Sequence, residues 1–152
     1  LHCLDMRVVF GCDHGGIELK NAMVEFVKTL GHEAIDVGCH TGDSVDYPDM
    51  AAMACKHIQE GTADRCIVVC GSGIGISISA NKCRGIRCAL VHDHYGAVMC
   101  RKHNNANCIA LGGRCTGVEV AKECVLAYLA TEFEGGRHER RVNKMTLIEN
   151  KI

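Results

Sequence analysis

Short apolar runs alternate along the chain with longer stretches of helical spacing. Arg7 to Gly11 reads as a strand. From Ile17 to Leu30, the residues Leu19, Met23, Phe26, Val27 and Leu30 share one helical face, and Gly31 ends that helix. His32 to Val37 predicts a second strand. Tyr47-Pro48 opens a second helix, with the proline in its first turn, running to about Glu60. Cys66 to Cys70, with Ile67, Val68 and Val69 between, has no polar position and reads as a fully buried strand. Gly71, Gly73 and Gly75 follow at alternate positions, and Ile76 to Ala80 starts a helix. Arg87 to Val91 and Asn107 to Leu111 predict two more strands, separated by a helix from Tyr95 to His103. Thr116-Gly117-Val118-Glu119 has the spacing of a capping box before a helix running to Leu129. After Glu134-Gly135-Gly136 a last helix is expected over about 137–150. Its apolar stripe of Val142, Met145 and Ile148 is narrow, which suits packing on a partner subunit or on the chain's own surface.

Five strands alternating with helices predict βαβ units and a parallel sheet covered on both faces. The expected fold is α/β, a three-layer Rossmann-like arrangement with a five-stranded parallel sheet flanked by helices. At 152 residues it is read as one domain over 1–152. In such sheets ligands bind beyond the carboxyl ends of the strands. Those ends carry Asp13 and His14, the polar loop 38–47, Cys70 to Gly75, His92 to His94, and Gly112-Gly113-Arg114. A thiol, histidines, carboxylates and an arginine are thus expected on one rim.

A formal net charge of −1 points away from nucleic acid and from acidic membrane surfaces. No apolar run approaches the roughly 20 residues that span a bilayer, and the first seven residues lack the apolar core of a secretory leader. The expected location is cytoplasmic. The twelve cysteines include no Cys-x-x-Cys pair, which weakens zinc and thioredoxin-type readings. Many, such as Cys66, Cys88, Cys108 and Cys124, occupy positions that suit a small buried hydrophobe in a reducing compartment.

Strand, glycine turn and helix aim backbone N–H groups and a helix N-terminus at an anion. The turn lacks the third glycine of a dinucleotide fingerprint, since position 76 is Ile76, and no Gly-Lys-Ser/Thr follows it. It is either a nest with Cys70 at its entrance and Ser72 inside, or an ordinary tight turn after a structural cysteine. Helix N-termini and nearby cations favour the thiolate of a cysteine, so Cys70 is a candidate base. The loop amides and Ser72 are placed to stabilise an oxyanion formed beside it. Arg137 and Arg141, four apart, share a helical face. Together with Arg114 they suit a phosphate, to which arginine donates two parallel hydrogen bonds. Without the nest, the pair on the last helix would read as a solvated surface. His103, at a helix end, is either a cap or a group that moves protons on sugar oxygens.

Five segments together resemble ribose-5-phosphate isomerase type B, of the RpiB/LacAB sugar-phosphate isomerase family. They are Gly11-Cys12-Asp13-His14, Asp46-Tyr47-Pro48, the run from Cys70 to Lys82, Arg101-Lys102-His103-Asn104, and Glu134-Gly135-Gly136-Arg137-His138. The resemblance extends from about Arg7 to Glu149. It implies interconversion of ribose 5-phosphate and ribulose 5-phosphate with neither metal nor organic cofactor. It also implies a homodimer, often paired into a tetramer, with sites shared between subunits. Cys70 matches the family's proton acceptor. Some members carry a glutamate base where this chain has Ile76, which places the chain in the cysteine branch. His103 matches the residue that opens the furanose ring. Asp13, His14, Asp46, Tyr47, Gly71, Ser72, Gly73, Ile74, Gly75 and Asn104 match substrate-binding positions. His14, Arg114, Arg137 and Arg141 match the phosphate site. Two other readings remain: a hexose-6-phosphate isomerase of the same family, acting on allose or galactose 6-phosphate, and a non-catalytic phospholigand-binding protein.

Overall fold

The computed structural model describes residues 5–151. The reading of the leader segment, residues 1–7, therefore lies mostly outside the described residues. Five strands, β1 (Arg7–Cys12), β2 (Glu33–Asp36), β3 (Arg65–Cys70), β4 (Cys88–Leu90) and β5 (Cys108–Gly112), form one sheet in the order β2-β1-β3-β5-β4. Every pairing is parallel. Six helices connect and flank them: α1 (Ile17–Thr29), α2 (Tyr47–Gln59), α3 (Ile74–Asn81), α4 (His94–Lys102), α5 (Val118–Ala130) and α6 (Arg137–Glu149).

Strand residues alternate between two cores, as the two-residue period of a strand requires. Val8, Phe10, Ile67, Val69, Ile109 and Leu111 face a core closed by α1, α4 and α5. Val9, Cys66, Val68, Cys70, Cys108 and Ala110 face the opposite core, closed by α2 and α3. The three layers follow directly. Chain direction along the sheet reverses its sequential order between β1 and β3, the place where parallel α/β sheets open a crevice for ligands.

Several local expectations are corrected. Helix α3 begins at Ile74, two residues earlier than the apolar run suggested, because left-handed Gly73 (φ 78°) ends the turn and Gly75 is already helical. The capping box at Thr116 does not form. Gly117 takes the cap position of α5 with no side-chain hydrogen bond, so the helix starts without it. On α1 the buried face turns toward Lys20 and Val24, leaving Phe26 and Leu30 only partly covered. The Lys20 ammonium reaches Asp36 of β2 at 2.7 Å with its side chain 1% exposed. No helix among the described residues is long and apolar enough to cross a membrane.

Candidate active site

Backbone hydrogen bonds stitch three loops together at the carboxyl ends of β1, β3 and β5. The Asp13 amide donates to the Val69 carbonyl at 3.2 Å, the Gly113 amide to Cys70 at 2.8 Å, and the Arg114 amide to Gly71 at 2.9 Å. The loops touch so closely that side chains are excluded. A Cβ on Gly16 would stand 2.6 Å from the Val69 carbonyl oxygen, and one on Gly113 would stand 2.6 Å from that of Gly15. The glycines of this rim are there for backbone contact.

Within the β3–α3 turn, the Gly73 amide donates to the Sγ of Cys70 at 3.1 Å. The sulfur is thereby fixed at the mouth of the loop, with the residue 5% exposed. The Ile74 amide donates to Ser72 Oγ at 3.2 Å. Ser72 accepts there, which leaves its own O–H free to donate to a ligand. Two of the loop's amides are therefore engaged by loop side chains. The N-cap residue of α3, Gly73, makes no side-chain cap hydrogen bond, which leaves donors of the first turn suited to an anion.

The other rim residues surround this turn. The Asp13 carboxylate accepts from the Gly15 amide at 2.9 Å and is buried, holding the β1 loop in shape. His14 is exposed, its Nδ1 3.4 Å from the Val45 amide. Asp46 sits at the start of α2, and its carboxylate makes no cap hydrogen bond. The Tyr47 ring lies against Gly75, where a Cβ would meet it at 2.7 Å. The Arg114 guanidinium lies over Gly71, 3.2 Å from where a Cβ would stand. The structure thus brings Asp13, His14, Tyr47, Cys70, the loop 71–75 and Arg114 to one place.

It does not bring His103, Asn104, Arg137 or Arg141 there within one chain. Helix α4 leaves the carboxyl rim at His94 and runs back about 14 Å over its nine residues. His103 closes it at the opposite edge, where Asn105 accepts from the Arg87 guanidinium and the Cys66 amide bonds the Asn107 carbonyl. Cys70 lies four residues further along β3 than Cys66, about 13 Å away.

At that far edge His103 stacks on His138, with ring centroids 4.1 Å apart and planes inclined by 10°. Glu134 Oε1 lies 3.8 Å from His103 Nε2 and 3.5 Å from His138 Nε2. Burial, with His103 beside it, holds His138 below the usual histidine range. His138 and Glu134 are the neighbours of His103 here, and neither had a role in the sequence reading. Glu134 precedes α6 and His138 lies in its first turn, so helical spacing does not pair them.

The sequence pattern of the family described as Ribose/Galactose Isomerase matches residues 8–145. The chain belongs to that family. The ribose-5-phosphate isomerase B of Clostridium thermocellum superposes with a TM-score of 0.95 at 47% identity, covering 96% of this chain and 99% of that one. Ribose-5-phosphate isomerase B of Escherichia coli is 41% identical over 145 residues, 95% of this chain and 97% of the other. A Mycoplasma genitalium ribose-5-phosphate isomerase B solved with bound ribulose-5-phosphate superposes with a TM-score of 0.92 at 33% identity, covering 96% and 97% of the two chains. These matches span nearly the whole length of each relative.

Proposed function

We propose that this protein interconverts D-ribose 5-phosphate and D-ribulose 5-phosphate through an enediolate, with Cys70 as the base. The observation that carries the reading is the Gly73 amide held on Cys70 Sγ beside the uncapped first turn of α3. A base and an oxyanion site lie next to each other, as proton abstraction beside a carbonyl requires. The 41–47% identity to ribose-5-phosphate isomerases B supports the substrate.

The active unit is a homodimer with composite sites, able to pair into a tetramer. Two observations support this. His103 and Cys70 stand at opposite edges of one chain's sheet. The stripe of α6 is also left largely uncovered, with Met145 40% and Ile148 66% exposed while Val142 is buried. In the dimer, Arg137, Arg141, His103 and Asn104 of one copy face the rim of the other.

His14, Arg114 and the arginines of α6 hold the phosphate. Asp13, Asp46, Tyr47, Asn104 and the loop 71–75 position the sugar. His103 moves protons between the ring oxygen and the anomeric hydroxyl, giving the open-chain aldose. Cys70 thiolate takes the C2 proton. The O–H of Ser72 and the free loop amides stabilise the enediolate oxygen, and the proton returns to C1. The described cysteines are all free thiols, which suits a cytoplasmic location.

The test is an aldose–ketose assay with ribose 5-phosphate and allose 6-phosphate in parallel. Higher kcat/KM on the pentose is expected. Higher kcat/KM on the hexose makes the chain a hexose-phosphate isomerase, and no turnover of either makes it a phospholigand-binding protein.

A further inference from the structure

Beneath the active rim, on the α2/α3 face of the sheet, three thiols from three separate elements meet. Cys55 comes from α2, Cys66 from β3 and Cys108 from β5, and their sulfurs all lie within 4.8 Å of one another. All three residues are fully buried. Register explains two of them: Cys66 pairs with Cys108 across β3 and β5, and both side chains point into the same core. Helix α2 lays Cys55 over that pair. Nothing in the proposed isomerisation uses these sulfurs, which stand about 13 Å down β3 from Cys70.

We propose that Cys55, Cys66 and Cys108 form a binding site for a three-coordinate thiophilic centre of charge +3, trivalent arsenic being its representative. Geometry sets the coordination number. Bonds of about 2.3 Å, usual for metal–thiolate contacts, at the near-right angles of a pyramidal trivalent centre place three sulfurs roughly 3.4 Å apart. The three sulfurs lie within 4.8 Å of one another, so the proposed centre draws them closer together on binding. A tetrahedral ion such as zinc needs a fourth donor, and among the described residues no fourth ligand atom lies within 4.8 Å of all three sulfurs.

Charge sets the identity. The surrounding core includes Val9, Ala51, Ala54, Val68, Ile76 and Ala110. Burying net charge in such a place is unfavourable. Three thiolates on a trivalent centre sum to zero, whereas three on Cu(I) or Zn(II) leave negative charge behind. The step balances: three S–H bonds of the protein and three As–OH bonds of arsenous acid become three As–S bonds and three waters. No oxidant or reductant takes part.

One feature gives the site a way in. Cys83, only partly buried at the end of α3, neighbours Cys55 and offers a first capture point for thiol exchange. A separate sulfur pair, Cys12 and Cys39 at 4.0 Å, offers two ligands from the opposite core.

The test is incubation of the full-length protein with sodium arsenite, read by native mass spectrometry, by thiol titration in denaturant, and by mapping which cysteines resist alkylation. The site predicts one arsenic per chain, three thiols lost, and protection of Cys55, Cys66 and Cys108. Cys55→Ala and, separately, Cys108→Ala are each expected to bind at least tenfold more weakly, while Cys100→Ala binds as wild type. Protection of other cysteines, loss of fewer than three thiols, or displacement of arsenic by equimolar zinc overturns the assignment. The mapping uses the wild-type chain, so it decides the question even where an alanine variant fails to fold.

Discussion

His103 and His138 stack face to face at 4.1 Å, and the Glu134 carboxylate lies beside both Nε2 atoms. Two imidazoles in that contact cannot both carry a proton cheaply, and one carboxylate cannot neutralise both. Burial already holds His138 below its ordinary range. His138 takes up a proton more readily unfolded than folded. Its contribution to stability is therefore full above about pH 6.5, the unfolded value, and shrinks as the pH falls below it. The unfolding temperature should drop between pH 7 and pH 5, and the drop should be shallower in His138→Asn. Parallel drops in the two proteins would contradict this role.

His103 is assigned to ring opening. His103→Asn should therefore slow turnover of the furanose by about 10²-fold or more, the scale of a lost proton-transfer group. Substrate presented as the open chain should be affected far less. Stopped-flow measurement on freshly generated acyclic substrate separates the two; equal losses on both forms would remove the assignment.

Gly73 and Gly75 sit two residues apart and should respond differently to alanine. At Gly73 the backbone is left-handed (φ 78°), and a Cβ would stand 2.7 Å from Leu90 and 2.9 Å from the Leu111 backbone. Gly73→Ala should cost about 1–3 kcal/mol from backbone strain alone, and it should move the amide that holds Cys70. At Gly75 the atoms nearest the Cβ belong to the Tyr47 side chain, the closest at 2.7 Å. That ring is 41% exposed and free to swing away. Gly75→Ala should raise KM with little change in unfolding temperature. Denaturation curves and steady-state kinetics of the two variants check both halves.

Most of the layout was readable from the chain. The apolar run Cys66 to Cys70, its glycine turn and the strand ends fixed the rim because a parallel sheet leaves few alternatives. What was not readable depends on tertiary context. Lys20 lies on the buried face of α1 because Asp36 on a neighbouring strand receives its charge at 2.7 Å, a partner sixteen residues away that periodicity does not show. Thr116 has the spacing of a cap, yet Gly117 takes the position, with Thr116 buried and its amide bonded to the Gly112 carbonyl at 3.0 Å. The separation of His103 from Cys70 follows from chain direction: α4 must return to the starting edge before β5 begins. Motif order alone suggests one pocket and conceals that distance.

That separation makes subunit exchange informative. In a closed twofold dimer, mixing inactive Cys70→Ala and inactive His103→Ala chains gives about half mixed dimers, each with one intact site and one carrying both lesions. Activity should return to about a quarter of wild type. Exchange demonstrated without recovery would place both residues in one chain's site.

The most direct measurement is the turnover of Cys70→Ala on ribose 5-phosphate, beside calorimetric binding of the same sugar phosphate. Removal of a general base should lower kcat by at least about 10²-fold, with the binding constant within a few-fold of wild type, because the phosphate contacts lie on other residues. Near-normal turnover in Cys70→Ala would show that another group takes the C2 proton.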